Sequence, residues 1–276
     1  MAETGLDLSG VLLKLERAEA HIEEVRQKTV AFREGNPPPF GFRSDETPRP
    51  DKSIDYVLYA VIREPPLRAL APIIGDAIHN IRSALDHLVY ELAPRRARKA
   101  RKSQFPIFTD ECEFKVRSPP MIKGITGDER TLIERVQPYI ASNPPRHDPL
   151  AILNKLSNLD KHRLLVPIIA AVSTRDTWVA SDNADIRWTH LKVGPVEHDA
   201  KIVAFTASPQ DPSKSMNVQP QSGLQIQLSD TGADEMDIDV ADLLAMLHHH
   251  VRRTVVGWWF EYGHMPLTWA EVQALQ

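Results

Sequence analysis

The chain has 276 residues, 42% of them hydrophobic and 25% charged, with 33 Lys and Arg against 37 Asp and Glu and a formal net charge of −4. These values describe an ordinary globular chain, long enough for a substantial core, and the negative balance excludes a whole-surface nucleic-acid footprint, leaving only a local one. The one cysteine, Cys112, excludes an intramolecular disulfide and a multi-cysteine zinc site, and fits a reducing compartment.

The N-terminal MAETGLDLSG has no basic region followed by an apolar core, so no secretory signal is read in it. Residues 8–33 predict a helix: Leu12, Leu15, Ala18, Ile22 and Val25 recur at spacings of three and four. Ser9 is placed to cap it, and Glu16, Arg17, Glu19, Glu23 and Glu24 form its wet side. GNPPPFGFRSDETPRPDKS (35–53) predicts a loop or linker, because proline removes amide donors and fixes φ. IDYVLYAVIRE (54–64) is rich in β-branched and aromatic residues and predicts a strand. Pro65 and Pro66 end it and lead into a long helix at about 67–93, which Pro94 stops.

A basic run, RRARKARK, follows at 95–102. SQFPIFTDECEFKV predicts a short strand, and GDERTLIERVQPYI (127–140) a short helix disturbed by Pro138. After the loop NPPRHDP, LAILNKLSNLDKHRLL (150–165) predicts a second long helix with Leu150, Leu153, Leu156 and Leu159 inward. Beyond it, 166–173, 186–193, 201–207 and 223–229 are short and β-prone, and GLQIQLSD alternates as a half-exposed strand does. The apolar run LLVPIIAAV (164–172) is far too short to span a bilayer. Asp239 is placed to cap a final helix, 240–262, with Leu244, Leu247, Val251, Val255 and Trp258 on one stripe. The order predicts one α+β domain over 1–276, a helical bundle (about 1–165), an antiparallel β-sheet in the C-terminal half (about 166–235) and a closing helix (about 240–262). A cytoplasmic protein without a membrane partner is expected.

The long helix contains GDAIHNIRSALDHLVYELA (75–93). Ile74, Ala77, Ile78, Ile81, Ala84, Leu85, Leu88 and Leu92 fall within one arc and predict a core face. Asp76, Asn80, Ser83, His87 and Tyr90 lie opposite, His79 and Asp86 sit beside them, and Arg82 lies farther round. Residues 76–90 contain no Lys and no Glu, which solvate a helix at the least cost in propensity. Such a face predicts a site or a polar interface rather than plain solvation. His87 with Asp86 or Asp76 would form a tuned acid–base pair. Arg82 would clamp a phosphate or carboxylate. The alternative is a metal set of Asp76, His79 and His87 completed by His162 from a second helix. In NLDKHR (158–163) the basic residues suit a helix C-terminus through the macrodipole. The functional reading brings Lys161 or His162 beside the 75–93 helix.

Arg82-Ser-Ala-Leu-Asp-His87 fits R-x4-H with a polar residue directly after the arginine. It resembles the R-x4–6-H motif of HEPN-type ribonucleases, helical-bundle proteins that usually dimerise and cleave RNA without metal. The resemblance covers about one third of the chain. It implies Arg82 on the phosphate, His87 as acid–base, Ser83 assisting, no cofactor, and a homodimer. GDxxHNxRSALDHL followed by LDKHR also resembles a group of bacterial proteins, a likeness that brings no activity with it. Arg95, Arg96, Arg98, Lys99, Arg101 and Lys102 would contact RNA phosphates. The basic run carries no interleaved aromatic residues for base stacking, and its plainer reading is a solvated loop.

Three consecutive histidines, His248 to His250, point about 100° apart on a helix and cannot share one metal. GWWFEYGH (257–264) reads as a core anchor, Glu197-His198-Asp199 as a turn, and Cys112 lacks an electropositive setting. There is no phosphate-cradling glycine loop, no G-x-S-x-G and no H-E-x-x-H. Three classes therefore stand: a metal-independent ribonuclease, a metal-binding hydrolase, and a non-catalytic interaction or regulatory protein whose polar face bonds inside the fold or across a dimer.

Overall fold

The computed structural model describes residues 7–66, 68–94, 103–171, 178–221, 223–229 and 238–262, without the side chains of 178, 221 and 255–262. The basic run at 95–102 lies outside the described residues, and the aromatic run at 257–264 outside the described side chains. The chain is α+β and divides into two units discontinuous in sequence. One is helical, drawn from Met1–Val25, Pro72–Leu165 and Ala241–Gln276; the other holds the sheets, drawn from Arg26–Ala71 and Val166–Val240.

In the helical unit, periodic apolar residues dictate which faces go inward. Helix α1 (Ser9–Arg33) buries Val11, Leu15, Ala18, Ile22 and Val25. Helix α2 (Leu70–Leu92) buries Ile74, Ala77, Ile78, Ile81, Ala84, Leu85 and Leu88 completely, as the spacing requires. It also buries Val89, Asn80 and Arg82, so more than one stripe is covered. Residues 103–108, expected as part of a strand, have no regular secondary structure and pair with no strand. Pro106 denies that segment an amide donor in mid-run; the Gln104 backbone amide donates to the Met121 carbonyl (3.2 Å), and side chains take other backbone groups of the segment. The buried Gln137 accepts from the Phe108 amide (3.0 Å) and donates to the Pro106 carbonyl (2.8 Å).

Asp110, whose carboxylate accepts from the Glu113 amide, then caps α3 (Glu111–Arg117) where a strand was expected. Two short helices follow, α4 (Asp128–Arg135) and α5 (Pro138–Ala141), divided where proline was expected to interfere. Helix α6 (Pro149–Asp160) starts at the buried cap Asp148, with proline at its first position, and buries Leu150, Ile152, Leu153 and Leu156. Helix α7 (Val240–Tyr262) buries Leu243, Leu244, Leu247 and Val251. Among the described residues no helix is long and apolar enough to cross a membrane.

The sheet unit contains a strand in the segment expected to be irregular. β1 (Phe40–Pro48) pairs antiparallel with β2 (Ile54–Ile62) throughout its length. Its prolines precede the strand or sit at its end, and β1 is an edge strand, where a missing donor is tolerated. The remaining strands are β3 (Pro167–Ala171), β4 (Trp178–Asp182), β5 (Ala184–Leu191), β6 (Gly194–Pro195), β7 (Lys201–Pro209), β8 (Asn217–Gln221) and β9 (Leu224–Leu228). They form a four-stranded sheet, β1-β2-β7-β5, a three-stranded sheet, β6-β3-β9, and a β4-β8 pair, all antiparallel. The core of this unit centres on Phe205, which stacks on Tyr56 with centroids 4.9 Å apart. Asp239 binds Arg33 within this unit. Glu197-His198-Asp199 makes a turn with Asp199 at φ +61°.

His248 of α7 is buried, and its Nε2–H donates to the Leu15 carbonyl of α1 (3.1 Å). Burial lowers its pKa, against smaller opposing effects of Glu19 and the Leu15 bond, and burial acts on His250 in the same direction. A histidine with a lowered folded-state pKa is protonated more readily in the unfolded chain. The unfolded state therefore binds more protons once pH drops below about 6.5, the free histidine value. Stability is expected to be full above that pH and to decline below it. Urea titrations from pH 7.5 to 5 will show the decline, and His248→Leu will flatten it.

Candidate functional site

A helix returns to the same face at positions i, i+3, i+4 and i+7. On α2 those positions are His79, Arg82, Ser83 and Asp86. On α6 and its C-cap the same spacing gives Asn154, Ser157, Asn158 and Lys161. All eight line one polar cleft of about 300 Å³. Gln104, Ile107 and Phe108 of the irregular segment 103–108, with Arg117 and Met121, complete its wall. Gly75 allows α6 to approach α2 closely: a Cβ there would lie 2.6 Å from Asp160 Oδ1. Three cationic side chains, Arg82, Arg117 and Lys161, face the cleft with one carboxylate, Asp86.

Arg82 and Asp86 fix the wall of the cleft. Arg82 Nη2 donates to the Phe105 carbonyl (2.6 Å) and lies 3.2 Å from Asp86 Oδ1. The Phe105 amide donates to the same Asp86 oxygen (2.8 Å). One ion pair thus takes both backbone groups of Phe105. Burial pulls the Arg82 guanidinium below its usual range and pushes Asp86 above the ordinary carboxylate range, each offset in part by the other. Lys161 and His87 also lower the Asp86 value by smaller amounts. Arg82 is only 9% exposed, and among the described residues its Nη1 has no hydrogen-bond acceptor. A buried guanidinium N–H without an acceptor costs free energy comparable to a lost hydrogen bond.

Beside this pair, Ser83 Oγ lies 3.4 Å from His79 Nε2, and Lys161 Nζ donates to Asn158 Oδ1 (3.3 Å). Burial and the neighbouring Asp76 raise the Asp160 pKa, while His79 opposes them. Of the residues singled out in the sequence, the cleft thus gathers His79, Arg82, Ser83, Asp86 and Lys161. Asp76, Asn80, His87, Tyr90 and His162 do not line it. Asn80 is buried; its amide donates to the Asp76 carbonyl (2.8 Å), and its oxygen accepts from Lys14 (3.4 Å). His87 is exposed and lies against α1, where a Cβ on Gly10 would come within 3.0 Å of its Nδ1. His162 and Tyr90 are exposed.

The metal alternative, Asp76, His79, His87 and His162, is not assembled: among the described residues no three His, Cys, Asp or Glu side chains group as a metal requires. His79 and His87 stand eight positions apart, about 80° round the helix, and so look in different directions. Cys112 is exposed.

Gln104, Arg117, Asn154, Ser157 and Asn158 were not singled out in the sequence. For the last three the signal lies on α6 and its C-cap, where the polar positions 154, 157, 158 and 161 repeat the spacing of 79, 82, 83 and 86. The leucine stripe beside them drew the reading toward packing. No protein-family model, curated protein or solved structure matches this chain.

Arg82→Leu is expected to lower unfolding free energy by about 2–3 kcal/mol, because it strips charged hydrogen bonds from Phe105 and Asp86. His87→Ala, at an exposed position, is expected to stay within about 0.5 kcal/mol of wild type. Denaturant titration of both variants checks the contrast.

Proposed function

We propose that the cleft between α2 and α6 binds a phosphate-type anion. The observation that carries this reading is Arg82: a buried cation lining a polar cleft, with one guanidinium nitrogen lacking an acceptor. A guanidinium carries a fixed positive charge and five N–H donors, and with Nη2 engaged by Phe105 and Asp86 it is Nη1 that is left to donate to an anion oxygen. Lys161 and Arg117 add positive charge at more exposed positions of the same cleft. Asp86 is the unfavourable neighbour for an anion, but one of its oxygens is already taken by Arg82 and the Phe105 amide. Inorganic phosphate is expected to raise the melting temperature of the wild-type protein. Lys161→Ala is expected to weaken that binding about threefold to fivefold, the scale of a partly exposed ion pair. No stabilisation by phosphate at constant ionic strength would overturn the reading.

A second reading, metal-independent cleavage of RNA, is favoured by the contact between Ser83 and His79 beside Arg82. His79 then takes the acid–base role that the R-x4-H pattern gives to His87. A ribose 2′-hydroxyl would attack the adjacent phosphorus and yield its proton to His79. The bond from phosphorus to the 5′-oxygen would break, leaving a 2′,3′-cyclic phosphate, and the 5′-oxygen would take a proton from water. The basic run at 95–102 joins the chain just before Gln104 of the cleft wall, which places phosphate-binding charge close by in sequence. Incubation with mixed RNA in EDTA tests this reading. Cleavage is expected to be lost in His79→Ala and retained in His87→Ala; the reverse pattern would restore the role of His87, and no wild-type cleavage would remove the reading.

A further inference from the structure

The two walls of the cleft differ in chemistry. The α2 wall carries the cation Arg82 with its ion pair, whereas α6 presents Asn154, Ser157 and Asn158 in succession, with Lys161 at its end. Gln104 adds a further carboxamide from segment 103–108. A phosphate alone would use the cations and leave this second set without a role. Carboxamides both donate and accept, and a hydroxyl group of a ligand needs both. Among the described residues, the side chains of Gln104 and Asn154 have no hydrogen-bond partner, and Ser157 is buried with its hydroxyl likewise unengaged. The volume of about 300 Å³ suits one phosphorylated sugar. Apolar lining is confined to Ile107, Phe108 and Met121.

Resting on the phosphate reading above, we propose that the cleft recognises a sugar phosphate, with the phosphate at Arg82 and Lys161 and the sugar hydroxyls at Gln104, Asn154, Ser157 and Asn158. The ribose phosphate of a free nucleotide or sugar and that of an RNA strand share this chemistry. Calorimetry on the full chain at fixed ionic strength, with inorganic phosphate, ribose 5-phosphate and a trinucleotide of RNA, tests the assignment. Ribose 5-phosphate is expected to bind about tenfold more tightly than inorganic phosphate, the scale of one or two added hydrogen bonds. Asn154→Ala, which removes the amide without adding bulk to the cleft, is expected to erase that advantage, whereas the phosphate itself is held at Arg82 and Lys161. Equal affinity for ribose 5-phosphate and inorganic phosphate would overturn the proposal and leave the phosphate reading standing, as would an Asn154→Ala variant that keeps the full advantage. Absence of binding by inorganic phosphate and ribose 5-phosphate alike would overturn both. Tighter binding of the trinucleotide than of ribose 5-phosphate would support the proposal with RNA as the source, and the opposite order would support it with a free small molecule.

Discussion

A charged side chain that leaves water must find hydrogen bonds inside the protein, or the fold loses several kcal/mol. Helix α2 places Arg82 under that constraint one position along from Ile81, which is fully buried. The answer is an exchange with a stretch of chain that has its own unmet needs. Residues 103–108 have no regular secondary structure and no neighbouring strand, so their amides and carbonyls also require partners. Arg82 and Asp86 take both groups of Phe105, and Gln137 takes the next two, on Phe108 and Pro106. A buried ion pair adds little stability over an apolar equivalent. Here it ties segment 103–108 to α2, and the segment is one wall of the cleft.

The same bonds limit what Arg82 can do for a ligand. Nη2 is engaged by the Phe105 carbonyl and lies beside Asp86, which leaves Nη1 as the nitrogen without an acceptor. Structural and binding roles thus coexist in one side chain, and a variant at Arg82 loses both together. Lys161 and His79, both exposed, separate the roles more cleanly. Gly75 contributes in another way: by lacking a Cβ it admits the Asp160 carboxylate, and this close approach sets two polar stripes of equal spacing on either side of one cavity.

The R-x4-H resemblance meets a geometric difficulty that helix periodicity already contains. Arg82 and His87 are five residues apart, which turns them about 140° around the axis. Arg82 lies in the cleft, whereas His87 lies against Gly10 of α1. His79, three positions before Arg82, is about 60° away and shares its face. Counting spacing on α2 alone would have favoured His79 over His87 as the partner of Arg82.

By itself the sequence determined what depends on local periodicity and chain punctuation. The core face of α2, the leucine face of α6, the extent of α7 and the unusual polar composition of residues 76–90 were all legible, because burial of a periodic apolar stripe is set within the helix itself. The α+β class followed from element order. Tertiary structure decided everything that depends on long-range pairing. Phe40–Pro48 became a strand because β2 offers it a partner along its whole length, which no local propensity records. Residues 103–108 form no strand, and side chains 19 to 31 positions away take backbone groups of Phe105, Pro106 and Phe108. The cleft itself needed α6 brought against α2. Asn154, Ser157 and Asn158 are unremarkable on one helix, and they gain chemical meaning only opposite a buried arginine supplied by another.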